Sequence, residues 1–169
     1  MSFDRAAVEN AIRTFANAAV AIPWIFANQE GDRPPRPYGT IYVQGADPIG
    51  MGDIQSVGTG VTITERVREY VELEVSFQTY GDGALDRMAR IVAWAKRPSV
   101  TIGALDTVLL GFLSAGPIRD LSQVFAQSWE ARAQCDLRFS LRANDDRSIS
   151  TIGRVDISGA GVTQTVQEP

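Results

Sequence analysis

Two stretches, VREYVELEVSFQT at 67–79 and WEARAQCDLRFSLR at 129–142, alternate apolar and polar side chains over a dozen residues. Only an extended chain sends successive side chains to opposite sides for that long, so each must be a strand with one face in a core and one turned outward. In the first, Val67, Val71, Leu73, Val75 and Phe77 share a face, opposite Arg68, Tyr70, Glu72, Glu74, Ser76 and Gln78. In the second, Trp129, Ala131, Ala133, Cys135, Leu137, Phe139 and Leu141 oppose Glu130, Arg132, Gln134, Asp136, Arg138, Ser140 and Arg142. The outward faces carry opposite charge, Glu72 and Glu74 against Arg132, Arg138 and Arg142, so antiparallel neighbours would set unlike charges side by side. The two strands are therefore expected to be adjacent. Each exposed pair contributes about 0.2–1 kcal/mol, enough to favour one register without holding the fold.

Helices frame these strands. Between Asp4 and Val20, Val8, Ala11, Ile12, Phe15 and Ala19 recur at helical spacing, with Ser2 or Asp4 available as cap and Pro23 beyond the end. A second helix is expected after the turn Gly81-Asp82-Gly83, with Leu85, Met88, Ile91, Val92 and Ala95 on one face, Lys96-Arg97 in its last turn and Pro98 beyond. Trp24-Ile25-Phe26 reads as a short buried strand. After the proline-dense 33–37 segment, Tyr38, Thr40 and Tyr42 alternate with Gly39, Ile41 and Val43 in another. The glycine-rich 44–60 stretch has neither period and reads as a long loop. TVLLGFLSAG, GPIRDLSQVF and SISTIGRVDISG offer further short strands, and AGVTQTVQEP reads as a tail. The order points to an α+β fold: two helices packed on one face of a mainly antiparallel sheet, with a long glycine-rich loop. One domain over 1–157 is expected, followed by a tail at 158–169.

Composition narrows the function. A net charge of -4 disfavours generic nucleic-acid binding, which needs clustered cations to displace phosphate counterions. The single cysteine, Cys135, cannot form an internal disulfide, and a reducing cytoplasm fits. The first residues make a poor secretory signal, and no apolar run is long enough for a membrane-spanning helix, so no membrane association is expected. With 0 histidines, Ser-His-Asp and Cys-His arrangements and the common zinc sites are unavailable. Cys135 falls on an apolar strand face, where a thiol is buried and inert. The Gly-x-Gly before the second helix lacks the Lys-Ser/Thr of a phosphate loop. Asn144, Asp145 and Asp146 offer oxygens for calcium, but they are also preferred hairpin residues, and the turn reading is favoured. Glu72 with Glu74, or Glu130 with Asp136, could form a carboxylate pair, yet polar neighbours would leave both solvated and unperturbed. No catalytic residue, cofactor or metal is assigned.

What remains is a surface. Trp24, Tyr38, Tyr42, Tyr70, Tyr80, Trp94 and Trp129 are more large aromatics than one small sheet face needs, and Tyr, Trp and Arg are enriched at protein interfaces. The candidate contact residues are Arg33, Arg36, Tyr38, Tyr42, Arg66, Arg68, Tyr70, Glu72 and Arg132. Pro34, Pro35 and Pro37 fix φ and read as a rigid lead into the strand at Tyr38, leaving Arg33 and Arg36 as surface charges.

The order of segments, VENAIRTFANAAV, then ANQ followed by RPPRPY, then FQTYGDGALDRMARIVAW, GPIRDLS and WEARAQCDLRF, resembles the tail terminators among tailed-bacteriophage neck proteins. It is similar to the lambda-type terminator in its α+β plan and covers roughly residues 3–157. The resemblance implies a non-enzymatic virion protein assembled in the host cytoplasm. It implies a hexameric ring that caps the head-proximal end of the tail tube, stops its polymerisation and joins the tail to the head. The implied partners are further copies of the chain, the tail tube protein and a head connector or stopper, with DNA passing through unbound. The alternatives are another head-completion or stopper protein of the neck, and a small carboxylate-dependent hydrolase built on Glu130 with Asp136 or on Asn144, Asp145 and Asp146.

Overall fold

The computed structural model describes residues 3–57, 62–97, 105, 108–125, 128–150, 154–159 and 162–167. Two helices, α1 (Arg5–Ala19) and α2 (Ala84–Ala95), accompany β1 (Trp24–Phe26), β2 (Tyr38–Val57), β3 (Thr62–Tyr80), β4 (Leu110–Ala115), β5 (Arg119–Asp120), β6 (Gln123–Phe125), β7 (Ser128–Glu130), β8 (Arg132–Ser150), β9 (Arg154–Gly159) and β10 (Val162–Gln167). The fold is α+β and rich in strand. Contacts divide the chain into two compact units. One comprises Asp4–Ile49 and Tyr70–Arg142, and the other Met1–Phe3, Gly50–Glu69 and Ala143–Pro169.

Among the described residues, nearly all the buried apolar side chains belong to the first unit. Asp4 caps α1 by accepting a hydrogen bond from the Ala7 amide at 3.0 Å, while the alternative cap, Ser2, lies outside the described residues. Val8, Ala11, Ile12 and Phe15 are buried as the sequence spacing predicts, while Ala16, not expected there, is buried and Ala19 is half-buried. Phe15 then meets Phe77 of β3 and Phe139 of β8 edge to face, with ring centroids 6.3 and 6.2 Å apart, and Trp24 of β1 meets Phe77 at 6.0 Å. Helix α1 also packs against α2, whose Ala84, Met88, Ile91 and Ala95 are buried. Leu85, expected on that face, is 46% exposed: the helix begins at Ala84, and a residue one step on points about 100° away.

The sheet runs β1-β2-β3-β8-β4, with β5 also paired to β8. The expected neighbours β3 and β8 are adjacent. Their side chains show the direction: Gln78 meets Arg132, Ser76 meets Gln134 and Glu72 meets Arg138, one number falling as the other rises, so the pair is antiparallel. The Glu72–Arg138 ion pair, at 3.3 Å, is one of the unlike-charge contacts the sequence implies. Strand β4 is antiparallel to β8, with a register shift between Phe112 and Ser114, whereas β1 is parallel to β2.

Four expectations are corrected here. The glycine-rich stretch expected as a loop is strand as far as Val57, residues 58–60 lying outside those described. Its ladder partner β3 is nearly as long, 19 residues against 20, and pairing supplies the order that side-chain periodicity does not. Glycine is required in places: Gly50 has φ 72°, and a Cβ on Gly52 would stand 3.0 Å from Glu69 Cγ and 3.1 Å from the Arg68 carbonyl. Second, Asn144, Asp145 and Asp146 form no turn but continue β8 to Ser150. Third, the alternation assumed through Trp129–Arg142 breaks at Ala131, between β7 and β8, so Trp129 is 65% exposed and Glu130 is 5% exposed. In the second unit β9 and β10 pair antiparallel, Val162 opposite Gly159 and Gln167 opposite Arg154, so the segment expected as a tail contains a strand. Pro98 and Thr151 lie outside the described residues.

Candidate subunit and partner interface

Within the first unit, the proline-dense lead, the Gly81–Gly83 turn and the β7–β8 break come together. Arg36 Nη2 lies 2.6 Å from Glu130 Oε1, an ion pair whose carboxylate is buried and whose guanidinium is part exposed. The Gly81 amide donates to the Ala131 carbonyl at 2.9 Å. Gly81 has φ 89°, and a Cβ there would come within 3.2 Å of Arg36 Cβ, so glycine is what lets the turn close on the proline lead. Arg36, Pro37, Gly81, Asp82, Trp129 and Ala131 line the shallow depression that results.

Tyr38 begins β2 and is 3% exposed, contrary to its expected place on an open face. Its ring stacks on Tyr80, centroids 4.6 Å apart and planes 8° from parallel. Burial raises the pKa of the Tyr38 hydroxyl, as do Tyr80 and Glu130, while Arg33 and Arg36 pull it down. The guanidinium of Arg132 lies 5.3 Å from the Tyr80 ring centroid and donates to Gln78 Oε1 at 2.6 Å, which also accepts from the Tyr80 hydroxyl. Beside the turn, exposed Leu85 and Trp129 line a second depression with Asp86, Asp120 and Ser122. Ser122 donates to Asp120 from both hydroxyl and amide, holding that carboxyl below the usual range.

The nine contact candidates separate accordingly. Arg33, Tyr38 and Arg132 line one groove, and Arg36 lines the neighbouring depression. Tyr42 is 40% exposed and lines a different pocket with Arg5, Glu9 and Phe26. Tyr70 is exposed, and Glu72 is committed to Arg138. Arg66 and Arg68 belong to the second unit, where Arg66 grips Asp146 through two hydrogen bonds of 2.8 and 2.7 Å. That hydrogen bonding holds the Asp146 carboxyl below its usual range, so the pair contributes stability above the unfolded carboxylate pKa and loses it as pH falls through the lowered one. Sequence reasoning weighed Glu130 as a carboxylate and Trp129 as an aromatic, but a single unbroken alternation put each on the wrong face, Glu130 outward and Trp129 inward.

The carboxylates considered for chemistry have other occupations. Glu130 serves Arg36, and Asp136 accepts from Gln44 and Gln134. Among the described residues no group of three or more His, Cys, Asp or Glu side chains is gathered to hold a metal ion.

A family model described as phage neck terminator protein matches residues 6–165. The chain belongs to the phage neck terminator family. No curated protein matches it. The match bears out the resemblance drawn from the sequence and runs past residue 157 into β10. A neck terminator protein is a structural component of the bacteriophage virion, located at its neck among other virion proteins.

Cys135 of this neck terminator is buried, with Sγ 3.2 Å from the Gly116 carbonyl, and desolvation raises the thiol pKa above its ordinary value. Its reaction with an aromatic disulfide reagent should be at least about tenfold slower in native buffer than in denaturant. Equal rates in the two conditions would show that this part of β8 is open.

Proposed function

We propose that the protein assembles into a closed ring, six copies by the family resemblance, that caps the head-proximal end of the tail tube. The ring ends tube polymerisation and presents its other side to the head connector or stopper. The observation carrying this reading is the family match across 6–165, which takes in both helices and most of the sheet-forming sequence. The surface is consistent with it: exposed Leu85 and Trp129 line one depression with Asp86 and Asp120, and exposed Val124 stands opposite Trp129 in the β6–β7 pair, an arrangement suited to heterologous contacts between copies. The chain's net charge of -4 would limit retention of passing DNA.

Native mass measurement tests the assembly directly. A closed oligomer alone or with the tail tube protein is expected, and Trp129→Asp should shift the distribution toward monomer by tenfold or more, roughly 1.4 kcal/mol or above per contact. A strict monomer at micromolar concentration, unchanged by the tube protein, would refute the ring.

A further inference from the structure

A groove of about 460 Å³ lies within the first unit, walled by Ile25 and Phe26 of β1, by Arg33, and by Tyr38, Tyr80 and Arg132. Two guanidiniums line it and no carboxylate does, in a chain whose net charge is -4. Neither arginine is in an ion pair among the described residues, as is true of most of the other arginines; what sets these two apart is that they line one groove that no carboxylate lines.

Arg132 is also fixed in place. Gln78 accepts from its Nη2, Tyr80 supports its guanidinium, Tyr38 backs Tyr80, and its backbone amide donates to Ser122 Oγ at 3.0 Å. Its Nε is buried without a hydrogen-bond partner and so closed to a ligand, which leaves the terminal Nη groups as the donors that could meet one. A planar, pre-positioned fork of donors matches a carboxylate and loses little side-chain entropy on meeting one. The Ile25 and Phe26 wall offers an apolar seat beside it.

We propose that this groove receives an extended acidic segment of a partner protein, with a Glu or Asp carboxylate on Arg132, a second near Arg33 at the rim, and an apolar side chain between them. Two guanidiniums are far fewer than phosphate-backbone binding requires, so nucleic acid is the poorer occupant. This assignment rests on the reading of the chain as a neck protein that meets other virion proteins, and it names the chemistry of one such contact.

The test uses the full chain and a fluorescein-labelled peptide, GEEFEEG, read by fluorescence anisotropy. Arg132→Met should weaken binding about tenfold and Arg33→Met about threefold, while Arg90→Met, at an exposed position on α2, leaves it unchanged. The peptide with Gln in place of every Glu should not bind. Unchanged affinity in Arg132→Met, equal binding of the Gln peptide, or tighter binding of a dT12 oligonucleotide would each overturn the proposal. Loss of a self-associated species in Arg132→Met, with no peptide binding by the parent, would also overturn it and assign the groove to a second copy. If Arg132→Met does not fold, Arg132→Lys and Arg33→Met decide, and unchanged affinity in both is the contrary result. A chain that binds the peptide yet never forms rings would refute the ring and leave the groove standing.

Discussion

Replacing Arg36 with Leu is expected to lower the free energy of unfolding by about 2–3 kcal/mol, because it leaves the Glu130 carboxylate buried without its cation. The figure sits below the loss typical of a fully buried pair, since the Arg36 side chain remains 43% exposed and partly screened. Glu130→Gln keeps an acceptor opposite Arg36 and should cost about 1 kcal/mol. The double replacement Arg36→Leu/Glu130→Leu should recover stability relative to Arg36→Leu, because no orphaned charge is left inside. Urea unfolding followed by tryptophan fluorescence measures all three. If the double variant is no more stable than the single one, Glu130 is not the group that Arg36 neutralises.

The second large effect lies in the core. Phe77 is fully buried and touches both Phe15 and Trp24 edge to face, so Phe77→Ala should cost about 3–5 kcal/mol, a large share of the stability of an ordinary domain. Trp129→Ala removes a larger side chain but one that is exposed, and should stay within about 0.5 kcal/mol of the parent. Calorimetric unfolding of the two variants therefore separates core from surface. Comparable losses would mean that Trp129 is packed as the unbroken alternation required.

That contrast shows where the sequence was legible. The stripe on α1 and the alternation of β3 and β8 each concern one element whose apolar face has a single place to go, so periodicity alone found Phe15, Phe77 and Phe139. The adjacency of β3 and β8 followed from charge, and the Glu72–Arg138 pair bears it out. Periodicity could not locate the break at Ala131, because the sequence alternates without interruption through it while β7 is exposed at Ser128 and Trp129 and buried only at Glu130. Nor could it see that Glu130 would be neutralised from 94 positions away. The glycine-rich half of β2 was hidden for a related reason. Its order comes from a ladder partner and from close backbone approach at Gly52, and neither leaves a side-chain period. Asp145 and Asp146 read as turn residues by local preference, but Arg66 gives Asp146 a partner inside a continuing strand.

Of the suspected contact residues, Tyr38 is not exposed: it lies inside, stacked on Tyr80. Arg33 and Arg132 line one groove although they stand far apart in the chain, a pairing that no sequence spacing expresses.

Adding the purified protein to polymerising tail tube protein, and measuring tube lengths and the position of gold-labelled chain by electron microscopy, tests the central claim most directly. A terminator should label one end of each tube, at that end only, and stop its growth at substoichiometric amounts. Label distributed along the tubes, or tubes that lengthen as they do without the protein, would contradict it.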